Sequence, residues 1–448
     1  MDYLDRLSAF CAQLDYRTLP QEVHEQLGWI LADTVAAIAA GSAEPELRAI
    51  AARQSAVDTA DLIGLGRRGS CEAAAFINGT AGTFLEMDEG NRYSRGHPAV
   101  HVIPAAIALS QERAASAADF LAAVVAGYEV GSRLGAASQL RSAMHPHGTW
   151  GTIGAAAACA RLASLSASGM RQTINIASSL TTATSKQTML EGGLVRNTYA
   201  GLSNRNGLLA LDLAECGFSG ERDGPASLLG KVASEHFDPA AVIADLGQDW
   251  HLMHNYFKLH SCCRYNHGTL DALDLLAMQE GLPAAEAIER IEVQTYHLAA
   301  ELSDPTPANT LAAKFSVPFA VATRIVNGSS ALASFTWEAV RDPAVLALAQ
   351  KVSVQHDPAM SARLPKERPA RICLHLRDGR QLSAQAGVNR GDDAAPYSRD
   401  ELRAKFLDLT GRIWPAPHCK ALLETTLGLS QLQVPLGRWL GLLARTPA

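Results

Sequence analysis

From about residue 18 to residue 240 the apolar positions recur at helical spacing. Val23, Leu27, Ile30, Leu31, Val35 and Ile38 form an i, i+3, i+4 stripe that follows Pro20 and stops at Gly41, which predicts an amphipathic helix with its apolar side on a core. The same spacing predicts further helices around 46–56, 72–87, 103–113, 117–139, 151–163, 168–183, 203–216 and 225–234, punctuated by Gly, Ser, Pro or charged residues. The first half therefore reads as nearly all α. After about residue 270 the period changes. Ile291-Glu292-Val293-Gln294-Thr295-Tyr296 alternates at period two, and the runs 372–376 and 381–384 flank Arg377-Asp378-Gly379-Arg380, a hairpin with an Asp-Gly turn. A small α+β unit is expected there. From Ser398, whose Ser-x-x-Glu spacing to Glu401 marks a capping box, the pattern is helical again, and this tail is expected to pack back on the first half.

Composition sharpens this picture. The 448 residues suit two or three domains of about 150 each. Small side chains dominate, as in Ala155-Ala156-Ala157-Ala158-Cys159-Ala160, and aromatics make up only 6%, so closely packed helices are expected. A net charge of −6 leaves no basic excess for a phosphate backbone or an anionic bilayer, which argues against nucleic acid and membrane partners. The first residues carry acids where a secretory leader needs bases, and no uncharged apolar run reaches about 18 residues, so a cytoplasmic protein is expected. Eight scattered cysteines without a CxxC read as reduced thiols. Gly64-Leu65-Gly66-Arg67-Arg68-Gly69 fits GxGxxG, but it lacks the preceding buried strand and βαβ context of a dinucleotide site and reads as a surface turn.

Three segments concentrate reactive side chains. In the first, a helix ends in Glu86, Asp88 and Glu89, passes through a loop with Arg92 and Arg95, and restarts after His97-Pro98; a solvated loop whose arginines balance its acids is the plainer alternative. In the second, His145-Pro146-His147 precedes an Ala-rich helix, where the positive helix end favours neutral imidazole able to act as a base, or where these residues merely cap. The third holds His251, His254, Lys258, His260, Cys262, Cys263, Arg264, Tyr265 and His267. Its His-x-Cys-Cys-x-x-x-His spacing fits no common zinc pattern, and its cations would repel a dication, so no metal is expected. Lys258 and Arg264 read instead as an anion-binding and proton-transfer pair, unless they are simply solvated.

Taken together, Asn78-Gly79-Thr80-Ala81, the acid cluster with His97-Pro98 and Val102-Ile103-Pro104-Ala105-Ala106, His145-Pro146 with Gly151-Thr152-Ile153-Gly154, Lys258 with Cys262-Cys263-Arg264-Tyr265, and Ala313-Lys314-Phe315-Ser316 make the chain resemble the MmgE/PrpD family over most of its length. That family includes 2-methylcitrate dehydratase, cis-aconitate decarboxylase and iminodisuccinate epimerase. The resemblance implies a mainly α fold, with a large all-helical domain from residues 1–270 and 398–448 and a smaller inserted α+β lid domain at 271–397. It also implies a homodimer, a site between the domains without a cofactor, and motif histidines and a lysine at His97, His145 and Lys258. The chain departs from the dehydratases and the decarboxylase in having Glu86-Met87-Asp88-Glu89 where they resemble Asp-Phe-Asp-Asp, and Arg196 where they resemble a lysine.

Chemistry at a carbon beside a carboxylate needs a base within reach and cations where enolate-like charge develops. His97, His145 and Lys258, with Asp88, are the candidate catalytic residues. Arg92, Arg95, Arg196, Arg205 and Arg264 are candidate clamps for substrate carboxylates, joined by Glu86 and Tyr265 as binding residues. Because Arg196 is too basic to exchange a proton, and epimerisation needs only two acid–base groups, the inventory points first to an epimerase acting on a small dicarboxylate such as iminodisuccinate. The alternatives are a lyase, either dehydratase-like or cis-aconitate decarboxylase-like, on a di- or tricarboxylate, and a non-catalytic polycarboxylate-binding protein.

Overall fold

The computed structural model describes residues 2–55 and 57–447, which are 58% helical and 10% strand, so the fold is mainly α. The helices that build the site are α1 (Gln21–Ser42), α2 (Cys71–Phe84), α3 (Pro98–Glu112), α4 (Ala117–Ala136), α5 (Trp150–Leu162) and α6 (Thr198–Glu215) in the first half. They continue with α7 (Arg264–Glu280) and α8 (Val317–Val326) in the middle and α9 (Arg399–Gly411) and α10 (Ala416–Ser430) in the tail.

One apolar core runs from Leu14 to Phe257 and takes up Tyr397, Leu402, Phe406, Leu409, Trp414, Leu422 and Trp439. The tail therefore completes the helical body, as the capping-box reading expected. Ser398 Oγ accepts the Glu401 amide, and Glu401 reaches back to the Ser398 amide. The scarcity of large side chains lets helices touch. A Cβ on Gly127 of α4 would lie 2.6 Å from the Gly154 carbonyl of α5, so these two backbones meet with nothing between them.

A second core gathers Cys262, Leu270, Leu273 and Leu276 with Phe319, Val321 and the sheet residues Ile291, Val293, Ile372 and Leu374. Its sheet contains β1 (Ile288–Thr295), β2 (Val352–His356), β3 (Ala370–Leu376) and β4 (Gln381–Ala386), in the order β4-β3-β1-β2. β3 and β4 form the expected hairpin, with Leu374 opposite Leu382 and Gly379 at φ +88° in the turn. β2, which runs parallel to β1, was not anticipated because Val352-Ser353-Val354-Gln355-His356 is too short and polar to stand out.

One other sequence expectation changes, and the turn reading of the GxGxxG segment holds. The run 225–234 is a short turn of helix (Gly224–Ser227), a π-helical stretch (Leu228–Val232) and the start of a strand (Ser234–Phe237), which pairs with Ser138–Leu140. The GxGxxG segment is a hairpin tip between Ala60–Leu62 and Arg67–Gly69, with Gly64 and Gly66 at positive φ, and has no βαβ unit around it. Among the described residues no helix is long and apolar enough to cross a membrane.

Candidate active site

The end of α2 begins the site. The chain turns sharply there because Glu86 adopts a left-handed backbone, φ +55°, a conformation that costs a non-glycine residue about 1–3 kcal/mol and persists only when its surroundings hold it. A short ribbon, Gly90–Asn91 against Asn255–Tyr256, then fastens this acid loop to the segment carrying Lys258 and Arg264. His97 precedes α3 and His145 lies five residues before α5, so both occupy helix entrances.

α3 carries Pro104 in its interior, which removes the amide that Val100 O would otherwise accept. Asn204 of α6 repairs the gap, donating from Nδ2 to the Val100 carbonyl at 2.8 Å and accepting the Ala105 amide at 2.8 Å. The helix that presents His97 is thereby locked to α6.

These segments border a cavity of about 520 Å³ lined by Glu86, Arg95, His97, His145, His147 and Arg196 together with Tyr256, Arg264, Tyr265, His297, Phe315 and Arg368. His97 Nδ1 lies 2.9 Å from Asp88 Oδ2, behind the cavity wall. Burial pushes the Asp88 carboxyl up, but His97 and Lys258 outweigh it and hold Asp88 well below the usual carboxylate range. With Nδ1 facing Asp88, Nε2 is the His97 nitrogen left to exchange a proton with a bound molecule.

Lys258, a candidate base in the sequence reading, stands beside Glu86 and Asp88. Its Nζ is fully buried, donates to the Glu86 carbonyl at 3.1 Å, and stands 3.4 Å from Glu86 Oε2 and 3.6 Å from Asp88 Oδ1. Burial opposes the charge, yet Glu86 and Asp88 raise its pKa above the ordinary lysine value, so it remains an ammonium. His145, another candidate base, is kept neutral by burial and by Arg196. Its Nδ1 accepts the His147 amide at 3.1 Å, and Arg196 Nε sits 3.4 Å from Nε2, so N–H donors face both nitrogens. Burial, and then Arg196, press its pKa well below the ordinary histidine value.

The arginines divide. Arg205 projects from the outer face of α6 and is exposed, stacked on Phe76, because its neighbour Asn204 takes the inward position. Arg92 does not line the cavity. Its guanidinium lies 3.0 Å from Asp393 and donates to the Lys366 carbonyl, tying the acid loop to the segments before β3 and after β4. Arg196 lines the cavity but is already ion-paired with Glu86, so the two neutralise each other, and Glu86 serves Arg196 and Lys258 rather than a substrate carboxylate. Arg95 is exposed on the wall of the cavity. Arg264 is held by Asp392 at 2.7 Å, with its Nε buried and unpartnered.

Four further side chains complete the site. Arg368, just before β3, is buried with Nη1 unpartnered, and with Arg264 it packs on the Tyr256 ring, the two guanidinium carbons 5.6 and 4.5 Å from the ring centroid. His147 lies at the centre of an imidazole cluster, its ring centroid 5.0 Å from His97, 4.7 Å from His145 and 4.8 Å from His101. Burial first, then Arg196 and the neighbouring rings, press His147 well below the ordinary value, and burial takes His101 down to about 3. His147 shares the His145 segment and could have been named from it; nothing around Arg368 in Lys366-Glu367-Arg368-Pro369 distinguishes it as a site residue. The histidines of the third segment serve separate partners, His251 facing Ser132, His254 facing Asp249 and Asp393, and His260 facing Ser330.

Fold and site together define a mainly helical protein with an acid–base cavity, lined by a carboxylate-backed imidazole and by guanidinium groups suited to a small carboxylic acid. The chain belongs to the MmgE/PrpD family: residues 5–228 match the model of the MmgE/PrpD N-terminal domain and residues 260–429 that of the C-terminal domain. It is 25% identical to the cis-aconitate decarboxylase-like protein oryM of Aspergillus oryzae, over 95% of each chain. It is 24% identical to the cis-aconitate decarboxylase of Aspergillus terreus, over 92% of this chain and 90% of that one. It is 26% identical to the cis-aconitate decarboxylase of Mus musculus, over 74% of this chain and 70% of that one.

Proposed function

We propose that this chain is a lyase that decarboxylates a small unsaturated polycarboxylate of the cis-aconitate kind, with His97 as its proton donor. The observation that carries the reading is the His97–Asp88 pair, 2.9 Å apart, beside a cavity that Arg264 and Arg368 also line. The names of the relatives support the lyase over the epimerase expected from the proton inventory. So does the site chemistry. Epimerisation needs a base on each face, whereas Lys258 is kept charged and the His145 nitrogens face donors, which leaves one carboxylate-backed imidazole.

One proton is what decarboxylation of an allylic acid requires. The bond to the departing carboxylate breaks, its electron pair becomes the new alkene, and the far carbon of the old alkene takes a proton from His97 Nε2 as carbon dioxide leaves. Asp88, remaining an anion, holds the ring and stabilises its charged form before transfer. Arg264, Arg368 and Arg95 take the carboxylates that stay. In this reading the α+β unit at 271–397 is a lid that excludes water over a site floored by the helical body, and the protein works in the cytoplasm as a homodimer.

The test is incubation in D₂O with cis-aconitate, citrate, 2-methylcitrate and an aspartate-derived imino-diacid. Carbon dioxide release from cis-aconitate, with one deuterium fixed in the product, is the expected result. Deuterium exchange at the imino-diacid without carbon dioxide release would return the epimerase reading. Inertness toward all four would remove both.

A further inference from the structure

The acid loop is held in its left-handed turn by three side chains that take three consecutive carbonyls. Ser261 Oγ donates to Leu85 O at 2.8 Å, Lys258 Nζ to Glu86 O at 3.1 Å, and Lys405 Nζ to Met87 O at 2.6 Å. Two of these donors come from the segment before α7. The third comes from α9, in the tail of the chain, and is held in turn by Asp33 of α1, whose Oδ1 lies 2.5 Å from Lys405 Nζ. Both members of this pair are buried, and neither lines the 520 Å³ cavity. An ammonium and a carboxylate in an apolar wall of Trp29, Phe257, Leu402 and Phe406 are costly to bury, and a pair of apolar residues would join α1 to α9 more cheaply.

We infer that Lys405, aligned by Asp33, is a positioning residue that fixes the Met87 carbonyl and so sets the distance between Asp88 and His97. This rests on the reading of His97 as the reacting group. The carbonyls of Leu85, Glu86 and Met87 follow the negative end of the α2 dipole; an ammonium on Met87 O offsets that charge without entering the cavity. When that anchor is lost, the turn at Glu86 relaxes and Asp88, two residues on, retreats from His97 Nδ1.

Lys405→Met, which keeps the length of the side chain, tests this with two readouts. The first is ¹⁵N-histidine NMR of the unliganded protein. Around His97 stand Asp88, Glu86, Tyr256 and the rings of His101, His145 and His147, with Lys258 and Arg196 beside the two carboxylates. Removing a cation raises a histidine midpoint, whereas a retreating Asp88 lowers it. A fall of about half a pH unit or more at His97, with the exposed His236 and His356 unmoved, is expected; an unchanged or raised midpoint overturns the inference. The second readout is kinetic: kcat is expected to fall about tenfold or more with KM within about threefold, whereas a lysine that only stabilises the fold would lower the thermal midpoint and leave kcat per folded molecule intact. Should Lys405→Met fail to fold, Asp33→Asn frees the ammonium from α1 and is expected to lower the His97 midpoint in the same direction, and an unmoved midpoint there overturns the inference equally. A shifted midpoint in a protein whose wild type turns over no polycarboxylate would leave the brace standing and remove the reaction assigned above.

Discussion

At the scale of single residues, the site works by pairing opposite charges so that one imidazole remains available. Glu86 neutralises Arg196, and Glu86 and Asp88 together hold Lys258 charged; only then can Asp88 stay ionised beside His97 in a buried place. Replacing His97 by Gln is expected to lower kcat by about 10² or more, as for a lost general acid, with a small change in KM and in thermal midpoint. A histidine that merely packs would do the reverse, so kcat, KM and midpoint on one preparation separate the two. Replacing Arg368 by Lys should instead raise KM more than it lowers kcat, because an ammonium keeps the charge and loses the two-pronged contact. The residue types of His97, Asp88 and His145 were legible in their motifs. The protonation of Asp88 and His145 was not, since it depends on burial and on side chains such as Arg196, 51 positions from His145, and Lys258, 170 positions from Asp88.

At the scale of elements, α3 shows how a helix carrying a proline is kept straight enough to present a site residue. Asn204→Leu would strand the Val100 carbonyl and the Ala105 amide in the core, at about 1–3 kcal/mol for each group left unpaired. Pro104→Ala restores an amide for Val100 O, so the double variant is expected to recover part of the loss, and a double-mutant cycle on thermal midpoints measures how much. If the two effects add, Asn204 is not compensating for the proline. The amphipathic helices and the β3–β4 hairpin were readable because hydrophobic period and turn residues are local properties. β2 and the π-helical stretch at Leu228–Val232 were not, because each is stabilised by a neighbour distant in sequence. For Arg205, the inward Asn204 beside it settles the direction, and that required knowing which face of α6 meets α3.

For the whole molecule, stability depends on pH through the imidazoles buried without charge. His147 has a depressed pKa in the folded protein, so between the unfolded value of about 6.5 and its own lower value the unfolded chain binds the extra proton. Its contribution is therefore intact above pH 6.5 and is lost as pH falls, by about 1.4 kcal/mol per pH unit. His147→Asn, which does not titrate, is expected to narrow its stability deficit against wild type as pH is lowered from 7 to 5 in denaturant titrations; parallel curves would show that His147 titrates normally. The sequence by itself determined that the chain is mainly helical, closely packed and finished by a tail helix with a capping box, because periodicity, side-chain volume and caps act within a few residues. Only the tertiary structure decided which cations line the cavity, which of them are also paired with Asp392 or Glu86, and that Lys405 lies beneath the acid loop. Charge pairing is a property of distance in space, and through burial it sets which groups hold protons.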